Sequence, residues 1–346
     1  MMTAKGNYFL GKGQFEVREM TFGEVGPEEV LIRCMAAGIC GTDVHIYHGG
    51  KGSADVTPPV VLGHEFSGVV EKVGAAVTTV KPGDCVTVDP NIYCGRCRAC
   101  RNGQKQFCEN LSAVGVNRDG GFAQYCVAPQ AQVFRMNPDI GFEAMAMTEP
   151  LACCLHGIEQ IGIKAGDVAC VIGGGSIGQL MVQLALLHGA SQVVLSEPVA
   201  ARREIALKLG ACAAIDPMAG DVKEQFVKAT GREDGADVLI ECVGKNVAIS
   251  QAFQLAARGA RILLFSVPDI EAKFEMPVFE VFQKELRIYG SFINPDSHAR
   301  AAELLNSGRV RTDLLVTHRF PLAQLEDAIK MQMSAESIKV QVLPQE

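Results

Sequence analysis

Apolar positions change their period part-way along the chain. Between residues 27 and 90 they come in short runs broken by Gly and Pro: EEVLIRCMAAG, then PPVVLGHEFSGVVEKVG, then GDCVTVDP. Such spacing predicts an irregular, largely antiparallel β domain. Residues 91–110 have little apolar periodicity and predict an extended lobe. Beyond about residue 152 the pattern becomes an alternation. DVACVIGGG reads as a buried strand running into a turn. SIGQLMVQLALLHGA follows with Ile177, Leu180, Met181, Leu184 and Leu187 at helical spacing and Gly189 as a stop. SQVVLSE, AARREIALKLGA, ADVLIECVG, NVAISQAFQLAARG and ARILLFSVP continue as strand, helix, strand, helix, strand. This alternation predicts a parallel, doubly wound sheet. NPDSHARAAELLNSG then predicts one capped helix, and SIKVQVLP a final strand that returns to the first domain. The expected organisation is a split domain, 1–152 with 293–346 and a lobe at 91–110, into which a nucleotide-binding domain, 153–292, is inserted.

Composition narrows the class. The 346 residues are 48% hydrophobic and 21% charged with a net charge of −7, and they hold no basic run, so nucleic acid is not an expected partner. No apolar run approaches the roughly 18 residues that a membrane span needs. MMTAKGNYFL lacks a basic stretch followed by an apolar one, so no export signal is expected. The 13 cysteines, an odd number, argue against a disulfide framework. A reducing cytoplasm is the expected setting, where clustered cysteines more often bind metal.

Three groups of residues carry candidate chemistry. Gly173, Gly175 and Gly178 form G-x-G-x-x-G directly after a strand and at the opening of a helix. The first permits a tight turn, the second lets backbone approach a pyrophosphate, and the third allows close helix–strand packing. Glu197 ends the next strand, where an acid accepts hydrogen bonds from ribose hydroxyls and repels a 2′-phosphate, which favours NAD over NADP. Arg202 and Arg203 pull the other way, since a guanidinium can hold such a phosphate. The plainer alternative is glycines that serve only chain reversal.

Cys94, Cys97, Cys100 and Cys108 form C-x2-C-x2-C-x7-C, enough to surround one tetrahedral, structural zinc ion. An iron–sulfur cluster and free thiols are the alternatives. Cys34, Cys85, Cys126, Cys170, Cys212 and Cys242 sit in apolar stretches and are expected in the core. Finally, ICGTDVH supplies Cys40, Thr42 and His45, LGHEFSG supplies His64 and Glu65, and TEPLACCLHG supplies Glu149. Cys, His and Glu from separate segments would make an open, catalytic zinc site. Taken singly, each has a plainer explanation: a core thiol, a satisfied polar side chain, a solvated carboxylate.

CGTDVH, GHEFSGVVEKVGAAV, the four-cysteine lobe, the inserted Rossmann domain and KELRIYGSFINP, in that order, resemble the zinc-dependent alcohol dehydrogenase family of the medium-chain dehydrogenase/reductase superfamily over nearly the whole chain. Within it the chain is most similar to the polyol (sorbitol-type) and threonine dehydrogenases. The resemblance implies a GroES-like catalytic domain with a Rossmann domain, one catalytic and one structural zinc per chain, NAD, and a homodimer or homotetramer. It implies that Cys40 and His64 ligate the catalytic zinc, with Glu65 or Glu149 beside it or bound to it. It implies a proton relay through Thr42 and His45. Ile177 should meet the pyrophosphate and Arg202 the adenine ribose, while Ser266, Val267, Ser291 and Phe292 should line the nicotinamide pocket. Cys153 would either contact the cofactor or pack. The implied reaction is hydride transfer from a secondary alcohol, a polyol or sugar alcohol with or without phosphate. A threonine-type amino-alcohol dehydrogenase and a non-catalytic NAD-binding protein are the alternatives. Ile46 and Ile293 stand where animal sorbitol dehydrogenases carry a tyrosine and an arginine, so a polyol would need other partners, with Tyr47, His48, Lys51 and Asn294 as candidates.

Overall fold

The computed structural model describes residues 1–268 and 270–346. They form two compact units, Met1–Ala152 with Ile293–Glu346, and Cys153–Phe292.

In the first unit the strand Glu29–Gly38 is the organising element. It is an almost unbroken apolar run, and it pairs antiparallel with Glu65–Val73, with Tyr125–Pro129 and with Lys339–Leu343. Cys85–Val88, Val133–Arg135 and Val316–Pro321 complete a seven-stranded sheet. Val30, Ile32, Ala37, Phe66, Val86, Val340 and Val342 bury one continuous core against it. SIKVQVLP does return as a strand, with Val342 opposite Ala37. The register has one consequence for chemistry: the last residue of Glu29–Gly38 lies opposite the first residue of Glu65–Val73. The chain just after Gly38 and the chain just before Glu65 therefore meet at one end of the sheet.

Periodicity did not reveal the N-terminal hairpin of Met2–Gly11 and Gln14–Phe22. The second strand is exposed along most of its length, so no alternation marks it.

The second unit is a six-stranded parallel sheet. Its strands run in the spatial order Ala213–Ile215, Gln192–Ser196, Val168–Ile172, Ala236–Glu241, Ala256–Leu264 and Arg287–Gly290. Numbered by sequence this is 3-2-1-4-5-6, the doubly wound order, with its switch point between Val168–Ile172 and Ala236–Glu241. The helix Asn246–Leu255 ends four residues earlier than its apolar pattern predicts. Ala256 turns extended and joins the sheet opposite Ala236, so AARG belongs to the strand. Cys212 is exposed rather than core, because it follows the Gly210 turn into the edge strand Ala213–Ile215. Cys85 and Cys242 are half-buried, whereas Cys34, Cys126 and Cys170 are buried as expected, with thiol pKa values raised by that burial.

The segment after residue 293 is pinned by buried polar groups. Asn91 donates to Asn294 at 2.6 Å, Asn294 donates to Asp89 at 3.3 Å, and the Ser297 hydroxyl donates to the Ala152 carbonyl at 2.8 Å. Ser297 thus spends its hydroxyl on packing rather than on capping the helix His298–Asn306. His298 is buried next to the Phe134 ring, and burial pushes its pKa down to about 3. An unfolded histidine protonates near pH 6.5. Between these values the unfolded chain binds a proton that the folded one does not, so stability falls as pH drops through that window. Asp89, whose carboxyl burial pushes up to about 6, works in the opposite sense. That contribution is common to wild type and variant. The stability difference between wild type and His298→Leu should therefore shift towards the variant by up to about 1.4 kcal/mol per pH unit between pH 6 and 4. Denaturant melts at several pH values check this, and parallel curves would refute it.

Candidate functional site

The four-cysteine lobe has almost no core. Between residues 94 and 108 only Cys100 and Cys108 are buried. What organises it is sulfur. The Cys94 thiol accepts from the Cys97 N–H at 3.4 Å, Cys97 from the Cys100 N–H at 3.5 Å, and Cys108 from the Cys94 N–H at 3.3 Å. Hydrogen bonds from the Arg96 and Cys97 backbone push the Cys94 thiol down to about 6, towards thiolate. All four sulfurs lie within 4.8 Å of one another. Tetrahedral zinc with Zn–S bonds near 2.3 Å requires sulfurs about 3.8 Å apart. The donor set fits a closed zinc site.

A second group forms where the two strands of the first unit meet. Cys40 caps the helix Gly41–Tyr47: its sulfur accepts from the Thr42 N–H at 3.4 Å, and Asp43 reaches back to the Cys40 N–H at 2.8 Å. Glu65 opens the neighbouring strand and His64 immediately precedes it. Donor atoms of Cys40, His64 and Glu65 lie within 4.8 Å of one another. The other Asp43 oxygen stands 3.6 Å from His64 Nδ1, and both atoms are buried without another hydrogen-bond partner among the described residues. A carboxylate behind a histidine orients the ring and raises its basicity. Burial pulls the His64 pKa down, but Asp43 and Cys40 more than reverse this, and the net shift is well upward. Three donors of this kind fit a zinc ion that keeps an open position. Glu149 is buried in the first turn of Thr148–Ile161 and acts electrostatically on His64, yet it lies outside the group whose donors are mutually within 4.8 Å.

Sequence reasoning missed two residues here. Asp43 had a signal, since an acid three residues after a capping side chain is a capping-box pattern. Lys339 had only the oddity of a charge within a buried strand. Its ammonium pairs with Glu65 and donates to the Ile39 carbonyl at 2.9 Å. Burial disfavours its charge, but Glu65 and Cys40 outweigh that and raise its pKa. Gly38 makes the pairing possible, because a Cβ there would lie 2.3 Å from the Glu65 carboxylate and 2.8 Å from Lys339 Cε. Lys339→Met should leave Glu65 buried and unpaired, destabilising the metal-free protein by about 3–5 kcal/mol. Removing a positive charge from the donors should at the same time tighten zinc binding, by tenfold or so. Thermal melts and competition with a chromophoric chelator measure the two effects, and weaker zinc binding by a folded variant would sink the argument.

Thr42 and His45 are both half-buried, one turn apart on Gly41–Tyr47. Ile46 faces the core, Lys51 pairs with Asp55, and Tyr47 stacks on Phe15. Asn294 is fully buried and spent on Asn91 and Asp89, so it is no substrate partner.

In the second unit the glycine turn has the geometry its spacing requires. Gly173 adopts φ +100°, and a Cβ on Gly178 would lie 1.8 Å from the Gly173 carbonyl oxygen. No side chain caps the helix Ser176–Leu187, which leaves the N–H groups of its first turn, from Ser176 and Ile177 onward, for an anion. Gly175 is its N-cap residue. Glu197 is buried and engaged by the loop itself: its oxygens accept the N–H groups of Gly174 at 2.6 Å and Val199 at 2.8 Å. A guanidinium nitrogen of Arg202 lies 3.9 Å from the same carboxylate, and Arg203 is held by the Glu197 and Pro198 carbonyls and Asp216. The Ser266 hydroxyl donates to Glu241, Val267 and Phe292 are exposed, and Ser291 and Cys153 are half-buried.

Comparison with known proteins agrees with both units. Residues 26–138 match the alcohol dehydrogenase GroES-like domain, and residues 176–307 match the zinc-binding dehydrogenase domain. The chain is 35% identical to an L-threonine 3-dehydrogenase of Caldanaerobacter subterraneus, with 99% of each chain covered. It is also 35% identical to a sorbitol dehydrogenase of Halalkalibacterium halodurans, over 96% of this chain and 97% of that one. A zinc-binding dehydrogenase from Sinorhizobium meliloti, solved bound to NADP, superposes with a TM-score of 0.94 at 42% identity, over 99% and 100% of the two chains. The chain belongs to the zinc-dependent alcohol dehydrogenase family of the medium-chain dehydrogenase/reductase superfamily, and it is an oxidoreductase of that class.

Proposed function

We propose that this enzyme oxidises a secondary hydroxyl of a polyol or sugar alcohol to a ketone with NAD. The first unit acts as the catalytic domain and Cys153–Phe292 as the cofactor domain. The observation that carries the reading is the open donor set of Cys40, His64 and Glu65. Cys40, His64 and Glu65 would hold a zinc ion able to lower the pKa of a substrate hydroxyl, and NAD bound at the glycine turn would be the hydride acceptor. The protein's own part is to hold those donors, with Asp43 behind His64 and Lys339 behind Glu65, and to move one proton. Thr42 takes it from the substrate hydroxyl and passes its own towards His45.

A threonine-type substrate would need a cation for its carboxylate. Lys339, a cation beside these donors, is already committed to Glu65 and the Ile39 carbonyl. This favours the polyol. Glu197 close to the glycine turn favours NAD, whereas Arg202 beside it and the NADP in the Sinorhizobium relative give the second reading. We also infer a homo-oligomer that uses the edge strand Arg287–Gly290. The adjoining helix Val278–Lys284 leaves Phe279 and Phe282 68% and 79% exposed, a surface that a second copy would cover.

Reduction of NAD and of NADP by the zinc-loaded enzyme, against polyols, polyol phosphates, cyclitols and L-threonine, tests the proposal. Chelator-sensitive turnover of a polyol with NAD is the expected result. Turnover of threonine alone overturns the substrate assignment, and preference for NADP overturns the role given to Glu197.

A further inference from the structure

Glu241 ends the strand Ala236–Glu241, next to the switch point of the parallel sheet. Its side chain is fully buried. It has no cation partner among the described residues. Instead, one oxygen accepts the N–H groups of Val243 at 2.6 Å and Gly244 at 2.8 Å, and the other accepts the Ser266 hydroxyl at 2.5 Å. Its backbone carbonyl also receives the N–H groups of Phe265 and Ser266. One residue thus ties together the loops that leave two adjacent parallel strands.

These loops lie at the carboxyl ends of the strands, where doubly wound sheets bind ligands. Glu197 and the strand Gln192–Ser196 lie on one side of the glycine turn. Glu241 and Ser266 lie on the other. A dinucleotide with its pyrophosphate on that turn and its adenosine towards Glu197 must lay its nicotinamide half over the Val243 and Ser266 loops. The first loop also abuts the phosphate turn, since a Cβ on Gly173 would come within 2.6 Å of Val243. A buried carboxylate without a counter-ion is costly unless it is hydrogen-bonded, and here the donors are two backbone N–H groups of one loop and the Ser266 hydroxyl of the other.

We propose that Glu241 is a positioning residue for the nicotinamide half of the cofactor, acting through the Val243–Gly244 and Ser266–Val267 loops without touching the dinucleotide itself. The inference rests on the NAD reading above. It deepens that reading by separating what holds the two halves of the ligand.

The test compares two ligands on one holoenzyme. NADH binding is followed by its fluorescence, and ADP-ribose, which lacks nicotinamide, by calorimetry. For Glu241→Ala the Kd for NADH should rise by about tenfold or more, as expected for losing hydrogen bonds to a charged group. The Kd for ADP-ribose should stay within about twofold. Glu241→Gln keeps an acceptor for both N–H groups and an amide for the Ser266 hydroxyl, and should retain near-native NADH binding. Equal weakening of both ligands, or unchanged NADH affinity, overturns the proposal. If Glu241→Ala does not fold, Ser266→Ala takes its place, with a smaller but equally selective loss of NADH binding expected and the same outcomes overturning it. Wild type that binds neither ligand would remove the cofactor reading, and the positioning role with it.

Discussion

His64→Ala is expected to lower kcat/KM by on the order of 10³ or more while leaving the fold intact. The side chain sits at the head of Glu65–Val73, where the register of the sheet brings it to the end of Glu29–Gly38 and to Cys40. Removing it leaves two donors, too few for a stable zinc site with an open position. Little else should change. Beyond the donor group, His64 pairs with Asp43 at 3.6 Å. Metal analysis should then find one zinc per chain in the variant against two in the wild type, with the four-cysteine lobe still loaded. A variant that keeps both metal ions and normal turnover would show that Cys40, His64 and Glu65 are not the catalytic site. Loss of both ions would show that the two sites are not independent.

Cys100→Ser should act through stability instead. The lobe from Cys94 to Cys108 buries only two residues, both of them cysteines, and its polypeptide has no apolar cluster to hold it. Its order must come from the metal, and structural zinc contributes folding free energy outright, on the order of 10 kcal/mol in small zinc domains. Without one thiolate the lobe should open. Arg96, Arg98, Arg101 and Lys105 then become trypsin sites, so limited proteolysis should cut the variant within 94–110 while the wild type resists. Zinc content should drop by one ion. Activity should fall together with the melting temperature and not ahead of it, which distinguishes this effect from that of His64→Ala. Equal resistance to trypsin and equal zinc content would mean that the four sulfurs hold no structural ion.

Much of this protein is legible in its sequence. The Rossmann unit was readable because its central strands and several of its helices announce themselves locally, by a buried run or a 3.6-residue period, with Gly189 as a stop, whereas the helices Val222–Thr230 and Val278–Lys284 carried no such signal. The cysteine lobe was readable because its four ligands fall within 15 consecutive residues, so spacing alone nearly specifies the geometry. Cys40 and His64 could be named as candidates from their residue types, but only the resemblance favoured ligation over plainer roles, since residues 24 apart meet through strand register and no local pattern encodes a register. Tertiary structure alone decided the rest. It brought Glu65 within 4.8 Å of the Cys40 and His64 donors, carried Lys339 across Gly38 to Glu65 from 274 positions away, and buried Asn294 among Asn91 and Asp89. It also engaged Glu197 and Glu241 with backbone N–H groups of their own loops. The physical reason is the same in each case. A charged or polar side chain takes its meaning from what neutralises it, and in a sheet protein that partner is set by non-local pairing, which sequence spacing does not carry.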